Sequence, residues 1–351
     1  MAERLRPRRR PTLEDVAAAS GVSRALVSIV IRGTPGASEV TRERVLRVAA
    51  ELGYRPDVHA RLLATTSTQL IGVVFNVQHA FHADLLAEIY ATAERVGYEV
   101  VLSGTTPDHD ERRAVETLLG YRCDALLLLG PDESEHRIAE LAGRIPVVVV
   151  GRRATARLAD VVRTDDAVGM RLAVDHLVGL GHRGIVHVDG GPGVKASDRR
   201  RGYRAAMTRA GLTDHIRVVT GGQTAESGVR AGQTIARLTR RPTAVVAFDD
   251  DCAFGLIDSV QSAGIRVPRD LSVVGYDGSR FSRFPLSHLT TVSQDAAALA
   301  SLGVRRAVAR LQGYEGPDRD IVLEPTLLDR GTSARPRSKP RQLDGASRER
   351  P

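Results

Sequence analysis

From residue 70 onward the chain alternates short apolar segments with longer amphipathic ones, and this alternation constrains the fold more than any other feature. Near-continuous apolar runs rich in Val, Ile and Leu are typical of parallel strands that helices cover on both faces. The predicted strands are 71–75, 99–102, 125–129, 147–150, 185–188, 218–219, 244–248 and 272–275, and the predicted helices include 85–96, 168–180, 200–210 and 253–263. Such a series fits either one barrel or two doubly wound lobes.

Residues 12–53 differ from this pattern and predict three short helices. Thr12 can cap the first helix, and Gly21 ends it in a tight turn. Ser23 can cap the second helix, and a third runs over about 39–52. Two short helices joined by a tight turn are a candidate helix-turn-helix, whose second helix enters a DNA major groove about 12 Å wide. A generic three-helix cap without DNA contacts is the alternative.

The start of the second predicted helix carries side chains that suit a DNA groove. Ser23 and Arg24 lie at its N terminus, and Ala25 and Ser28 follow within the next turn. An arginine at this place can donate two hydrogen bonds to a guanine edge. A solvated arginine on a helix surface is the alternative interpretation. The spacing therefore favours DNA binding and leaves the alternative open.

The net charge of +8 lies at the two ends of the chain. Residues 1–61 carry 12 basic and 7 acidic side chains, and residues 331–351 carry 6 and 2. The residues between them carry 32 basic and 33 acidic side chains, so this part is nearly neutral. A basic terminal segment is typical of nucleic-acid binding, whereas a neutral body argues against a protein that coats a polyanion along its whole length.

Several classes of protein are excluded by what the sequence lacks. No apolar run approaches the roughly 18–20 residues of a membrane span, and no apolar stretch follows the basic N terminus as in a secretory signal. Two cysteines, Cys123 and Cys252, are too few for a disulfide framework or a zinc site. We therefore expect a cytoplasmic protein without a membrane partner.

Short motifs along most of the chain carry a family resemblance. They are TLEDVA at 12–17, ASGVS at 19–23, VS at 27–28, TRERV at 41–45, LGYRP at 52–56, GV at 72–73, HL at 176–177, LGH at 180–182, Arg199 with GY at 202–203, VVGYD at 273–277, LTTV at 289–292 and QD at 294–295. In this order and spacing they resemble the lactose-repressor (LacI/GalR) family of transcription regulators, over about residues 12–330.

The resemblance implies an α/β fold: a small all-α helix-turn-helix head, and a two-lobed body of doubly wound parallel sheets like periplasmic binding proteins. The implied parts are the head (12–56), a hinge helix with its linker (57–69) and the effector-binding and dimerising body (70–330). Composition adds a basic disordered arm (1–11) and a disordered basic tail (331–351). Lobe 1 is expected at about 70–163 and 296–322, and lobe 2 at about 164–295 and 323–330.

The function that the resemblance implies is that of a homodimeric repressor. It would bind a pseudo-palindromic, double-stranded operator, and a small effector between the lobes, most often a sugar or polyol, would control its operator affinity. Corepressor or activator logic with a non-sugar effector stays open, as does a sugar-binding protein without a regulatory role. The tail carries no leucine heptads, so a tetramer-forming helix is not expected.

The resemblance also implies DNA contacts beyond those that spacing predicts. The full set is Thr12, Leu13, Ser23, Arg24, Ala25, Ser28, Ile29, Arg32 and Leu63. Ile29 and Arg32 depart from the family, which usually carries Arg and Asn at these positions, so a relative's operator sequence does not transfer. Leu63 matches a leucine that wedges between base pairs in the minor groove. Packing of this leucine against the body is the alternative.

Polar residues that follow the apolar strands predict an effector site in the cleft between the lobes. The predicted effector-binding residues are Asn76, Phe81, Arg152, Arg163, Arg199, Asp249, Asp277 and Gln294. The resemblance implies Arg199, which stands at the family's effector-contacting arginine, and it supports Asp249 and Asp277, whereas strand-end and loop positions predict the others. Two carboxylates, an arginine and an aromatic ring suit a sugar or polyol, because carboxylates accept hydrogen bonds from hydroxyls. Arg152 and Arg163 instead favour a carboxylate or phosphate.

The sequence does not favour an enzyme or a bound cofactor. Residues 190–193 lack the spacing of a dinucleotide-binding loop, and Lys195 has no phosphate-binding loop around it. His79 and His82 lie close together but are a weak metal signal, so no metal is expected. The acidic pair at 250–251 is expected to cap the helix that follows it.

Overall fold

The computed structural model describes residues 11–31, 33–54, 67–285, 288–316 and 318–337. Contacts divide the chain into two compact units, Met1–Thr68 and Gln69–Pro351, which we call the head and the body. A membrane crossing would need a long apolar helix, and the described residues contain none that qualifies.

The head is a bundle of three short helices: α1 (Leu13–Ser20), α2 (Arg24–Ile31) and α3 (Glu39–Glu51). Thr12 and Asp15 form a reciprocal capping box at the start of α1, and Gly21 ends that helix in the left-handed conformation, with φ of 67°. Valines and an alanine fill the core: Val16, Val27, Val30, Val45, Val48 and Ala49. The three predicted helices and the tight turn between the first two are confirmed.

Lobe 1 of the body is built on a six-stranded sheet in the order β11-β5-β4-β3-β1-β2, with every neighbouring pair parallel. Its strands are β1 (Leu70–Asn76), β2 (Glu99–Thr105), β3 (Ala125–Leu129), β4 (Val147–Val150), β5 (Asp160–Thr164) and β11 (Asp320–Leu323). Its helices are α4 (Ala80–Arg95), α5 (Glu111–Gly120), α6 (Glu135–Ala142) and α11 (Ala296–Leu311). Helices α4 and α11 share one apolar core with the strands.

Lobe 2 has a second six-stranded sheet in the order β12-β10-β9-β8-β6-β7, parallel except for β12 against β10. Its strands are β6 (Ile185–Val188), β7 (Val218–Val219), β8 (Ala244–Ala247), β9 (Ser272–Asp277), β10 (Thr291–Ser293) and β12 (Thr326–Leu328). Its helices are α7 (Asp166–Gly179), α8 (Val194–Arg209), α9 (Ala225–Ala236) and α10 (Asp250–Ser262). Helices α7 and α8 pack on one face, and α9 and α10 on the other.

The chain crosses between the lobes three times: from β5 to α7, from β10 to α11, and from β11 to β12. The strands therefore form two separate open sheets, so the two-lobed alternative is confirmed and the single barrel is wrong. Loops after the carboxyl ends of parallel strands are where doubly wound folds form binding sites, and the first crossover leaves from such a strand end.

The first residues of the predicted disordered tail are ordered against lobe 2, which corrects that boundary. Thr332 accepts a hydrogen bond from Val273 N at 2.7 Å through its carbonyl, and its hydroxyl donates to Val273 O, also at 2.7 Å. The ring of His182 lies 2.8 Å from the carbonyl oxygen of Ala334. Residues 331–337 therefore extend the border of lobe 2 beside β9, and residues 338–351 lie outside the described part of the chain.

Candidate functional site

Helix α2 of the head has one buried and one exposed face, as a helix that contacts a groove must have. Val27 and Val30 are buried in the core, whereas Ser23, Arg24 and Ala25 at its N terminus are exposed. Leu26 N donates a hydrogen bond to the Ser23 hydroxyl at 3.2 Å, so Ser23 also caps the helix. The two roles are compatible because a capping hydroxyl keeps one donor and one lone pair.

Arg24 forms an ion pair that water screens. Its Nη1 lies 3.3 Å from Glu14 Oε1, and both side chains are 68% exposed. A pair of this kind contributes about 0–1 kcal/mol, so the arginine can exchange it for a base or a phosphate.

The other predicted head residues occupy more restricted places. Thr12 is part of the capping box of α1, and Leu13 packs against the head core. Ser28 and Ile29 are half-buried on α2. Arg32 and Leu63 lie outside the described residues, so their proposed contacts remain predictions.

Arg199 stands at the centre of a polar network in lobe 2 and is fully buried. Its guanidinium donates to Asp166 Oδ1 at 2.9 Å, to the carbonyl of Phe248 at 2.6 Å and to Asp277 Oδ1 at 3.3 Å. The guanidinium carbon also lies 4.8 Å and 3.6 Å from the ring centres of Phe248 and Tyr276. Three hydrogen bonds and two aromatic faces hold this side chain in one position.

Asp277 and Gln294 continue the network to the first lobe crossover. Gln294 Nε2 donates to Asp277 Oδ1 at 2.6 Å, and the Thr164 hydroxyl donates to Gln294 Oε1, also at 2.6 Å. Asp277 adopts a φ of 107°, which non-glycine residues seldom do, so the network holds it in a strained conformation. Burial raises the pKa of Asp277, although Arg199 opposes the shift.

Asp249 caps helix α10, because its side chain accepts a hydrogen bond from Cys252 N at 2.8 Å. This corrects the expectation that the pair at 250–251 supplies the cap. Asp250 instead accepts from Ser279 N at 2.7 Å and from the Thr291 hydroxyl at 2.6 Å.

Several contacts tie lobe 1 to lobe 2. Asp251 of lobe 2 accepts a hydrogen bond from Ala80 N of lobe 1 at 3.1 Å. His79 Nε2 of lobe 1 lies 3.5 Å from the second carboxylate oxygen of Asp249, and the Lys195 ammonium lies 3.4 Å from the same ring nitrogen. The lobes therefore meet through polar groups at the carboxyl ends of their sheets.

His79 and His82 are stacked, with ring centres 4.8 Å apart. Burial lowers the pKa of His82 to about 3 and that of His79 well below its usual value, so both rings are neutral near pH 7. His79, Asp249 and Asp277 offer potential metal-ligand atoms within 4.8 Å of one another. A divalent cation among them would face both Lys195 and Arg199, and this repulsion argues against a metal.

Phe81 and Arg152 do not face the cleft between the lobes, which corrects their assignment to it. Phe81 packs in the core of lobe 1, because α4 already begins at Ala80 and residue 81 is therefore helical. The Arg152 guanidinium is 2% exposed and donates to Glu135 and to the carbonyls of Pro131, Glu133 and Arg153. These bonds fix a loop within lobe 1.

Arg163 lies on a separate, more open groove of about 320 Å³. It donates two hydrogen bonds at 2.9 Å to the two oxygens of Asp320, so its charge is already paired. Across the same groove, Arg153 of lobe 1 lies 3.4 Å from Asp198 of lobe 2. Arg152 and Arg163, the two residues that favoured an anionic effector, therefore both have carboxylate partners.

A cavity of about 30 Å³ lies where the sheets meet. Of the predicted effector residues, Asn76 lines it, whereas Arg199, Asp249, Asp277 and Gln294 lie in the network around it. Its other polar lining side chains are His79, His82, Thr105, Glu111, Asp132, Lys195 and Gln223, none of which was assigned to the effector.

Lys195 was missed because helix α8 begins earlier than expected. The predicted helix started at residue 200, but the structure begins it at Val194, which puts Lys195 and Arg199 one turn apart on the same side. The composition could have marked Lys195 as a candidate site residue, because it is one of only two lysines among the 50 Lys and Arg residues of the chain. The half-buried Glu111 carried no comparable signal.

Comparisons with known proteins agree with this architecture. Residues 12–57 match the family model for bacterial regulatory proteins of the lacI family, and residues 174–333 match a periplasmic binding protein-like domain. The ribose operon repressor of Haemophilus influenzae is 32% identical over 322 residues, which cover 90% of this chain and 97% of that protein.

Solved structures give the same result. A LacI transcriptional regulator from a Rhodococcus species is 45% identical, with a TM-score of 0.73 over 76% of this chain and 98% of its own. The lac repressor dimer bound to operator and the anti-inducer ONPF is 29% identical, with a TM-score of 0.80 over 93% of this chain and 100% of its own. The similarity to this second structure therefore extends over head and body alike.

Proposed function

The chain belongs to the lacI family of bacterial regulatory proteins, and we propose that it represses transcription from an operator until a small hydroxylated molecule binds its body. One observation carries the proposal: a single chain joins an exposed helix-turn-helix to a two-lobed body with a polar cavity between the lobes. This combination allows the binding of a metabolite in the body to change the DNA affinity of the head, and neither part could do this alone. The proposed site of action is the cytoplasm, where bacterial operators lie.

The exposed N terminus of α2 supports base recognition by Ser23, Arg24 and Ala25, with Ser28 beside them. Thr12, Leu13, Ile29 and Arg32 complete the proposed contacts of the head. We further propose that Leu63 wedges into the minor groove, a step whose unstacking cost of a few kcal/mol is offset by wider contact.

The proposed operator-binding form is a homodimer, because a pseudo-palindromic operator presents two related half-sites. The lac repressor that resembles this chain is described as a dimer bound to operator. Apolar side chains at α4 and on the edge strand β2 support such an interface: Tyr90, Val96 and Leu102 are 47%, 38% and 36% exposed. Edge strands and exposed apolar side chains of this kind are natural sites for a second copy.

A neutral sugar or polyol is the effector class that the chemistry of the cleft supports best. Carboxylates and amides predominate there, and the arginines that favoured an anion have partners within the protein. One relative is named a ribose operon repressor, which is consistent with a carbohydrate. A corepressor would bind in the same cavity but would raise the operator affinity instead of lowering it.

The test begins with selection of bound duplexes from a random DNA pool by the full chain. We expect an inverted repeat whose half-sites lie about 10 base pairs apart or closer. Operator affinity should fall steeply with salt, since arginine–phosphate contacts release counterions. Enrichment of no sequence, or a salt slope near zero, would overturn the proposal. Leu63→Ala with unchanged operator affinity would remove the wedge role alone.

The second step measures the affinity for the selected operator with and without D-ribose, D-galactose or cellobiose. An inducer should weaken binding by about 5–150-fold, the usual range of allosteric coupling. Tighter binding in the presence of a sugar would instead establish corepressor logic.

A further inference from the structure

The loops that lead into the strands of lobe 2 form one edge of that lobe. Strands β7, β6, β8 and β9 are parallel neighbours in the sheet, so their amino ends lie side by side. The loops before them are 180–184, 210–217, 237–243 and 263–271, and the C-terminal segment 334–337 lies beside the start of β9. We call these five segments the basic edge. It lies at the opposite end of the sheet from the loops that face the cavity.

Hydrogen bonds join these segments into a continuous surface. The Arg217 guanidinium donates to the carbonyl of Arg240 at 3.4 Å, which connects the loops before β7 and β8. Thr243 N donates to the carbonyl of Gly184 at 2.9 Å, which connects the loops before β8 and β6. Ser272 N, at the start of β9, donates to the carbonyl of Thr243 at 3.0 Å. The charges on the five segments therefore act on the same partner.

The basic edge has more arginines than carboxylates. It contains nine arginines, all exposed, and two aspartates, which leaves a surplus of seven positive charges in a body that is nearly neutral as a whole. Arg266 and Arg337 share one of the aspartates, Asp270, at 2.6 and 3.5 Å. In the part of the chain that the structure describes, six of the other arginines form no ion pair: Arg183, Arg217, Arg237, Arg240, Arg241 and Arg269.

We propose that the basic edge is a second DNA-binding surface, which contacts the phosphate backbone of duplex DNA outside the operator segment that the head recognises. It holds DNA without reading its sequence, because arginine–phosphate contacts carry no base information. This inference goes beyond the proposed function and rests on it only in taking DNA as the polyanion that this chain meets.

The side chains of the basic edge favour duplex DNA over other anionic partners. Guanidinium groups bind phosphate oxygens through paired hydrogen bonds. The five segments contain no Phe, Tyr or Trp, on which the bases of a single strand would stack. Their described residues also expose no large apolar side chain, which an interfacial membrane contact would use as an anchor.

The size of the edge fits a stretch of duplex. Four neighbouring strands spaced by about 4.8 Å give it a width of about 15 Å. Duplex DNA carries one phosphate charge per about 1.7 Å of its axis, so the same length holds about nine charges on its two strands. This number is comparable with the surplus of seven on the protein. A duplex bound there also leaves the cavity at the other end of the sheet accessible.

Fluorescence anisotropy on the full chain tests this surface. The heads are first saturated with a short unlabelled operator duplex, and a labelled duplex of unrelated sequence is then titrated in. We expect the wild type to bind this second duplex with a steep dependence on salt. Arg237→Gln/Arg240→Gln/Arg241→Gln should weaken its binding by about tenfold or more at low salt. The slope of log K against log salt should fall by about 2–3, since each phosphate contact contributes about 0.9.

The matched control removes three exposed arginines from lobe 1 instead. Arg112→Gln/Arg113→Gln/Arg144→Gln changes the net charge of the body by the same amount, so it should bind the second duplex as the wild type does. Should the first triple variant fail to fold, Arg183→Gln on the neighbouring loop should lower the salt slope by about 1. Equal losses in the two triple variants would show a general effect of charge and would overturn the proposal.

A second titration identifies where the DNA comes from. If the basic edge contacts the flanks of the bound operator, a long operator duplex should bind more tightly than a short one, and the Arg237→Gln/Arg240→Gln/Arg241→Gln variant should lose that gain. If it contacts a separate duplex, operator length should have no effect, and only the labelled second duplex should respond to the substitutions.

The inference is overturned if neither titration responds to these substitutions. It is also overturned if polyglutamate or vesicles containing phosphatidylglycerol bind the edge more tightly than DNA, which would assign it to an acidic protein or to a membrane. Binding of the short operator duplex by every variant shows that the heads are folded. Failure of the wild type to bind any operator would instead contradict the proposed function.

Discussion

The head and the body each have an arginine at a candidate site, and the two arginines differ in their exposure to solvent. Arg24 is 68% exposed and has one exposed carboxylate partner at 3.3 Å. Arg199 is fully buried, donates to three acceptors and lies between two aromatic rings.

This difference shows that burial determines whether an arginine is suited to binding a ligand or to stabilising a site. An exposed arginine can exchange its weak partner for a ligand at little cost, so it is suited to recognition. A buried arginine cannot release its partners without leaving charges unpaired in a medium of low dielectric constant, so it is suited to holding a site in shape. Substitutions at the two positions should therefore change different measured quantities.

The largest effect is expected for Arg199→Met. Removing the guanidinium leaves Asp166 and Asp277 without their buried partner, which should lower the free energy of unfolding of the body by about 3–5 kcal/mol. Urea unfolding of the full chain, followed by circular dichroism, measures this. Arg209→Met is the matched control on α8, the helix that also carries Arg199. It breaks an exposed pair with Asp175 of α7 and should cost less than about 1 kcal/mol. Equal losses of unfolding free energy in the two variants would contradict a special structural role for the buried Arg199.

Arg24→Ala should affect recognition instead. Operator affinity should fall by about 1–3 kcal/mol, or roughly 5–150-fold, and the salt slope should decrease by about 1 if a phosphate contact is lost. The free energy of unfolding should stay within about 0.5 kcal/mol of the wild type, as for other exposed sites. Fluorescence anisotropy and urea unfolding on the same preparation separate the two quantities. A destabilised head with unchanged operator affinity would assign Arg24 a structural role.

Glu14→Gln tests the role of the ion pair by changing the carboxylate partner of Arg24. The substitution frees Arg24 from its ion pair and removes a negative charge from the head, so operator affinity should stay the same or rise modestly. A loss comparable to that of Arg24→Ala would mean that Glu14 orders the arginine for its contact with DNA. Anisotropy titrations at two salt concentrations distinguish these outcomes.

The smallest expected effect concerns pH. Burial raises the pKa of Asp250 to about 7. The folded body therefore favours the protonated acid, and the stability that this contributes is full below the ordinary pKa of about 4 and is lost as pH rises through 7. Asp250→Asn mimics the protonated form. The free energy of unfolding of this variant should therefore increase relative to that of the wild type as the pH rises from 4 to 7. A constant difference across this range would show that Asp250 titrates normally.

The sequence predicted the fold class and the head well because both depend on local patterns. The apolar strands of the body alternate with amphipathic helices, and Thr12, Gly21 and Ser23 mark helix ends by capping chemistry that acts within a few residues. Strands β11 and β12 were missed, because they are short and each depends on one neighbouring strand for its hydrogen bonds.

The site was predicted only in part, for a related reason. Strand ends and family motifs identified Arg199, Asp249, Asp277 and Gln294, and the structure gathers them into one network. Which side chains face the cavity depends on where helices begin and on how lobe 1 meets lobe 2. Phe81 was misassigned because α4 starts sooner after β1 than its pattern suggested.

By itself, then, the sequence determined that this chain has a basic helix-turn-helix head and a nearly neutral body of alternating strands and helices, since charge and periodicity are properties of neighbouring residues. Only the tertiary structure decided that Arg152 and Arg163 already have carboxylate partners and that His79 and Lys195 lie beside the network of Asp249. Burial and hydrogen-bond partnership join residues far apart in the chain, and they decide which of two chemically identical side chains is free to bind.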